Sequence, residues 1–317
     1  MKTLIKKIKK VKPKILVLGD VMLDHYISGK VSKISPEAPV PILEYISEKK
    51  VLGGAGNVAH NLINLGAQVS IATVVGSDLD GDVIQKLFKD IKVSIENVIS
   101  SKGYKTTIKT RFLAEKVQLL RLDNDSTSLK KKELDRLIKI SKYFLQGFDC
   151  LIISDYDKGV CEEKVLKSFI NEAIKIKIPV FVDPKGDSWG KYINATCITP
   201  NSNEVETKLK SILKNDFDFE AAAKNISEKL NLESCLITRG ADGMTYYDNN
   251  GVIHKRVLKK RVFDVSGAGD TVIASLALAY LAKLGLNHCL DFASKTSSEV
   301  VTWAGTKPFD FSMLDSN

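Results

Sequence analysis

Little in this chain of 317 residues supports covalent staples, metal clusters or membrane insertion. The 5 cysteines (Cys150, Cys161, Cys197, Cys235 and Cys289) are scattered, odd in number and never spaced as CxxC, so neither a disulfide framework nor a cysteine zinc site is expected. No apolar run approaches the roughly 18 residues needed to cross a bilayer, and no secretory apolar region precedes a small-residue cleavage site. Membrane insertion is therefore not expected, and a cytoplasmic location is. A Walker-type phosphate loop is also excluded, because GxxxxGK[ST] does not occur. Internal repeats, low-complexity linkers and shifts of composition are likewise missing, and the expectation is one domain over 1–317.

The chain does carry an excess of positive charge, +9 from 47 Lys and Arg against 38 Asp and Glu. Seven of those lysines (Lys2, Lys6, Lys7, Lys9, Lys10, Lys12 and Lys14) fall in residues 1–14 with no acid among them, and setting them aside takes +9 down to +2. A basic arm for polyanions or membrane surfaces would read this way. So would a solvated start or a short helix leading into the first strand, which is the reading adopted, with no nucleic-acid partner expected.

Hydrophobic residues make up 44% of the chain, enough for a large core. Short, continuously apolar runs at 14–20, 68–76, 150–156, 179–184 and 234–240 read as strands buried on both faces. Between them, helices are expected near 56–65, 80–90, 130–145, 162–176 and 218–230. Such alternation specifies an α/β fold with a mainly parallel sheet flanked by helices, and ligands in such sheets sit beyond the strands' carboxyl ends. Segments 25–52 and 104–123, the latter with a turn near 114–116, read as β-like pieces outside that rhythm, either a small second sheet acting as a lid or dimer surface, or ordinary edge hairpins. A later hairpin is signalled at 248–251.

Three motifs carry chemistry. In FDVSGAGDTVIASLALAYLAKLG (263–285), the turn Gly267-Ala268-Gly269 feeds a helix apolar on nearly every face, expected to be buried and to end near Gly285. Its first amides and positive end make an anion pocket, and Asp270 in the first turn can accept a proton from a hydroxyl; a simple cap predicts the same residues. Gly53-Gly54-Ala55-Gly56-Asn57 opens another helix, where glycines admit a close approach and an amide both donates and accepts, though helix caps would look alike. Asn201-Ser202-Asn203-Glu204 places an amide and a carboxylate three apart at a helix start, suited either to water-held Mg²⁺ and phosphate oxygens or to a capping box.

Together these motifs resemble the ribokinase-like sugar kinases, the PfkB family, whose two signatures are similar to GGAGNVA (53–59) and DVSGAGDT (264–271), with NxxE matched at 201–204. The resemblance spans essentially the whole chain. Within the family, GDVMLDHY (19–26), SKISPEAPVPI (32–42), GGAGNVAHNLINLGA (53–67), KTRFLAEKVQLLRLD (109–123), SDYDKGV (154–160), VDPKGDSWGKYINATCITPN (182–201) and DVSGAGDTVIA (264–274) resemble the branch acting on D-glycero-β-D-manno-heptose 7-phosphate. Asp264-Val265 stands where the wider family commonly has Asp-Thr, in agreement with that branch. Many relatives there are fused to an adenylyltransferase domain with an HxGH motif; His25, His60, His254 and His288 form no such motif, so the kinase alone is expected.

The resemblance implies the rest. Asp270 would be the catalytic base, with the amides of Gly267, Ala268 and Gly269 holding developing charge. Asn201, Ser202, Asn203, Glu204, Thr238, Gly240 and Gly243 would serve ATP, Glu204 reaching Mg²⁺ through water; a monovalent cation such as K⁺ is common in the family. The sugar would meet Asp20, Asp24, Gly53, Gly54 and Asn57. Its phosphate would need a cation from among Arg111, Arg121 and Lys185, the last of which could equally face the nucleotide. The partners implied are a sugar phosphate, ATP and a second copy of the chain joined through the lid. Transfer to C1 of the heptose phosphate, toward ADP-heptose for lipopolysaccharide core, is the implied activity; another sugar kinase of the family, acting on fructose phosphate or ribose, and a catalytically idle sugar-binding regulator are the alternatives.

Overall fold

A computed structural model describes residues 2–115, 117–125, 128–257, 261–303 and 305–314. The apolar runs do become strands: β1 (Lys14–Gly19), β4 (Gln68–Gly76), β8 (Cys150–Ser154), β9 (Val180–Asp183) and β11 (Ser234–Thr238). With β5 (Ser94–Ser101), the two-residue β10 (Cys197–Ile198) and the hairpin β12 (Met244–Asp248) and β13 (Gly251–Lys255), they form a nine-stranded sheet in the order β13-β12-β11-β10-β9-β8-β1-β4-β5. Only the β12–β13 edge is antiparallel. The central strand shows why these runs carry no alternation: Ile15 and Val17 enter one core layer, Leu16 and Leu18 the other, and all four are fully buried.

Helices α2 (Ala55–Asn64), α3 (Leu79–Asp90), α8 (Ala268–Leu281) and α9 (Leu286–Val300) pack into the first layer; α4 (Lys131–Phe144), α5 (Glu163–Lys175) and α7 (Asp216–Leu230) fill the second. The lysine-rich start is a helix, α1 (Lys2–Val11), anchored by the buried Ile8. The apolar helix ends at Leu281, four residues short of the expected Gly285, which instead begins α9.

The two irregular segments form a second sheet, the first reaching beyond its expected bounds and the second starting three residues later and ending one later than expected: β2 (Val21–Ile34), β3 (Pro41–Gly54), β6 (Thr107–Ala114) and β7 (Val117–Asn124), in the order β3-β2-β6-β7. Pairing is antiparallel except between β2 and β6. The turn expected near 114–116 includes Lys116, which lies outside the described residues. Asp24 stands beside Lys109, Tyr26 beside Arg111, and Arg111 beside Arg121, so one face of this sheet is strongly charged.

Candidate active site

Acidic residues follow the carboxyl ends of three adjacent strands: Asp20 after β1, Asp155 after β8 and Asp183 at the end of β9. Above them opens the start of α8. Gly267 caps that helix at φ 81°, and a Cβ there would fall 2.6 Å from Asn57 Nδ2, so only glycine lets α8 and α2 approach this closely. One turn on, the buried Asp270 accepts a hydrogen bond from Asn57 Nδ2 at 2.7 Å on one oxygen and from the Tyr156 hydroxyl at 2.8 Å on the other. Burial pushes the Asp270 carboxyl up to about 6; the Asn57 and Tyr156 hydrogen bonds oppose that rise and the charge of Asp24 adds to it. Near neutral pH this is an ionised carboxylate more basic than usual, suited to taking a proton from a hydroxyl. Of the amides expected to form an anion pocket, that of Ala268 is already donated to the Val265 carbonyl.

On the side of the second sheet, Asp24 accepts from Arg111 Nη1 at 2.6 Å and from Thr306 Oγ1 at 2.9 Å. Its carboxylate lies against Gly53, where a Cβ would be 2.5 Å from Oδ2. Gly54, at φ 58°, brings the chain equally close to the Asp20 carbonyl. Tyr26 and Arg111 line a cavity of about 640 Å³ between this sheet and Phe263, Asp264 and Gly305.

The Asp20 carboxylate, expected to meet the sugar, is 1% exposed and accepts the backbone amides of Tyr156, Lys158 and Val160, so it braces the turn after β8. Arg121 is also taken up: both arms of its fork are held by Asp123 on the same edge strand. Arg111 is committed to Asp24, and the buried pair costs too much desolvation to leave either member single.

On the other side, Asn201, Ser202, Asn203, Thr238, Gly240 and Gly243 line a cavity of about 730 Å³ that reaches Ala268 and Gly269, a size suited to a nucleotide. Asn201 caps α6 (Ser202–Leu209) in a full capping box: its side chain accepts the Glu204 amide and Glu204 Oε2 accepts the Asn201 amide, each at 3.0 Å. The capping box leaves Glu204 Oε1 for Lys185 Nζ at 2.8 Å, which sets Lys185 beside the start of α6. A smaller cavity, about 170 Å³, shares Asn201, Thr238 and Gly269 with the last one and is lined further by Asp155, Tyr156, Asp183, Lys185, Glu204 and Asp270. Burial and the charges of Asp270 and Glu204 hold the Asp183 carboxyl well above the usual range. Besides Asp270, the carboxylates of Asp155, Asp183 and Glu204 line this cavity against Lys185, an oxygen-rich surrounding in which Glu204 suits a hard divalent cation held through water.

Tyr156, Asp183, Tyr26 and Thr306 were not singled out by sequence reasoning. Asp183 carried a usable signal, an acid closing a buried apolar strand; Tyr156 and Thr306 reach their partners across 114 and 282 residues and carried none.

A parallel sheet under a small second sheet, with a carboxylate at a glycine-capped helix start beyond the strand ends, defines a ribokinase-like fold. The solved structures agree: phosphofructokinase-2 from Escherichia coli, in complex with substrates and products, superimposes with a TM-score of 0.82 at 19% identity, covering 96% of this chain and 97% of that one. Arabidopsis thaliana ribokinase with ribose and ATP gives 0.74 at 19%, covering 96% and 98%. The family model for pfkB family carbohydrate kinases matches residues 12–310, and the chain belongs to that family. Its curated relatives include the bifunctional protein HldE of Campylobacter curvus, 38% identical over 304 residues, and that of Campylobacter concisus, 40% identical over 303. These alignments take in 96% and 95% of this chain, which spans 64% of each relative's length. No helix among the described residues is long and apolar enough to cross a membrane.

Proposed function

We propose that the chain transfers the γ-phosphoryl group of ATP to the C1 oxygen of D-glycero-β-D-manno-heptose 7-phosphate, giving the 1,7-bisphosphate on the way to ADP-heptose. The observation that carries a kinase reading is the Asp270 carboxylate, buried at the glycine-capped start of α8, held by Asn57 and Tyr156, and lining a small cavity that adjoins the larger one beside Thr238 and Gly269. The heptose choice rests on the seven branch-like segments and is supported by the similarity to proteins named HldE.

In this reading Asp270 takes the C1 hydroxyl proton while that oxygen bonds to the γ-phosphorus and the bond to the ADP oxygen breaks. Asp24, Gly53, Gly54 and Asn57 orient the sugar; Asn201, Thr238, Gly240 and Gly243 seat the nucleotide; positioning and electrostatics supply most of the rate. Glu204 would hold Mg²⁺ through water, and the ion, when bound, neutralises phosphate charge. A monovalent cation such as K⁺ is part of the same proposal; potassium is bound in one E. coli phosphofructokinase-2 structure of this fold. The chain would act as one kinase domain with the second sheet as a lid that excludes water, and as a homodimer through that lid.

A coupled ADP-release assay over heptose 7-phosphate, fructose 6-phosphate, fructose 1-phosphate and ribose tests this. The expected result is a kcat/KM at least about 100-fold higher for heptose 7-phosphate, the size of discrimination expected where buried polar groups go unpaired with the wrong sugar. Preference for a fructose phosphate or ribose would end the heptose assignment, and no turnover with any of them would end the kinase reading.

A further inference from the structure

The turn after β8 is held with unusual rigidity for a loop. Asp20 accepts the amide of Tyr156 itself at 2.9 Å, that of Lys158 at 3.1 Å and that of Val160 at 2.9 Å. The residue before Tyr156 is fixed as well: the Asp155 carboxylate accepts from the Tyr192 hydroxyl, from Lys191 and from the Asp157 amide. Between these anchors the Tyr156 ring passes close to Gly54, and its hydroxyl ends on Asp270 Oδ1. The phenol is buried among carboxylates, which keeps it protonated and therefore a donor at any working pH. Asn57, from α2, fixes the other oxygen.

We infer that Tyr156 is a positioning residue for phosphoryl transfer: held by a turn that Asp20 braces, its hydroxyl fixes the orientation of the Asp270 carboxylate. This rests on the reading of Asp270 as proton acceptor. A carboxylate buried this deeply is driven toward its protonated form, and the charge of Asp24 from β2, itself paired with Arg111, adds to that drive; Asp155, Asp183 from β9, Glu204 from α6 and Lys185 line the same cavity. Two donors stand against that, and both have fixed directions, so the lone pairs left for a sugar hydroxyl also have fixed directions. Asn57 alone would leave one oxygen unsatisfied and the carboxylate free to turn about its Cβ–Cγ bond.

The test is Tyr156→Phe, which keeps the ring and removes only the donor. The acid limb of kcat is expected to move up by about one pH unit, the effect of losing one hydrogen bond to the charged form. At pH 6 turnover then falls about fivefold further than at pH 8.5, while KM for ATP is unchanged. A loss equal at every pH, with the acid limb in place, would show a structural contribution only and overturn the proposal. Should that variant fold poorly, 3-fluorotyrosine at position 156, a stronger donor of nearly the same shape, should move the limb the opposite way, and no movement overturns the proposal equally. The titration of the Asp270 carboxyl can also be read without substrate, by ¹³C NMR of protein labelled at aspartate Cγ, with the Asp270 signal identified by its loss in Asp270→Asn. A wild-type enzyme that turns over no sugar phosphate would sink the functional reading, whereas an Asp270 midpoint indifferent to Tyr156→Phe would sink this one.

Discussion

Asp20 and Asp24 lie four residues apart, both nearly buried, and the chain uses them differently. Asp20 spends its oxygens on three backbone amides, while Asp24 faces a guanidinium and a hydroxyl at the edge of a cavity. Asp270 differs again, since its two donors leave it short of full compensation and its carboxyl stays near 6 against an ordinary 3.8. Replacing it by asparagine should lower kcat by about a hundred- to ten-thousand-fold, the usual contribution of a general base, with KM for ATP little changed. The wild type should lose activity as pH falls through about 6, when the carboxylate is protonated. Stability moves the other way. A carboxyl whose folded pKa is raised carries no penalty below 3.8, a growing one up to about 6 and the full one above it. Asp270→Asn should therefore be more stable than the wild type at pH 8 by about 3 kcal/mol, and lose most of that advantage at pH 4, as read by denaturant unfolding at the two values.

Among the elements, α8 does most to assemble the site, and it depends on one glycine. Gly267→Ala would combine a left-handed backbone with a Cβ 2.6 Å from Asn57 Nδ2; calorimetry should show a loss of about 1–3 kcal/mol, and turnover should fall as Asn57 is pushed off Asp270. Elements whose residues agree with one period were legible from sequence alone: β1, β4, β8, β9 and β11 as apolar runs, α8 as a wholly apolar helix after a glycine turn. The missed ones lack such agreement. β5 (SIENVISS) is an edge strand of mixed polarity, and β10 contributes only two residues to its sheet. α9 hides a single apolar stripe, Cys289, Leu290, Phe292, Ala293 and Val300, among serines, threonine and lysine. The site divides in the same way: Asn57, Asn201, Glu204 and Asp270 sit in local motifs, but Tyr156 meets Asp270, and Thr306 meets Asp24, only because the sheet brings distant strand ends together.

For the whole molecule, the second sheet has two unlike faces. Arg111 and Arg121 stand side by side on the charged one, while Leu120 and Leu122 on the other are 59% and 58% exposed. An uncovered apolar surface of this kind is costly in water and fits the proposed pairing of two lids. Leu120→Asp should leave a monomer in sedimentation velocity where the wild type runs as a dimer; a monomeric wild type would refute lid pairing. The scattered cysteines bear on the same scale. Cys150, Cys197 and Cys289 lie in one core layer and Cys161 and Cys235 in the other, all buried and with their thiols held protonated by burial. A thiol reagent meets a native molecule that offers it almost nothing, and each label added records a moment when one side of the sheet had parted from its helices, so the chain carries its own clocks for opening, one set on each face.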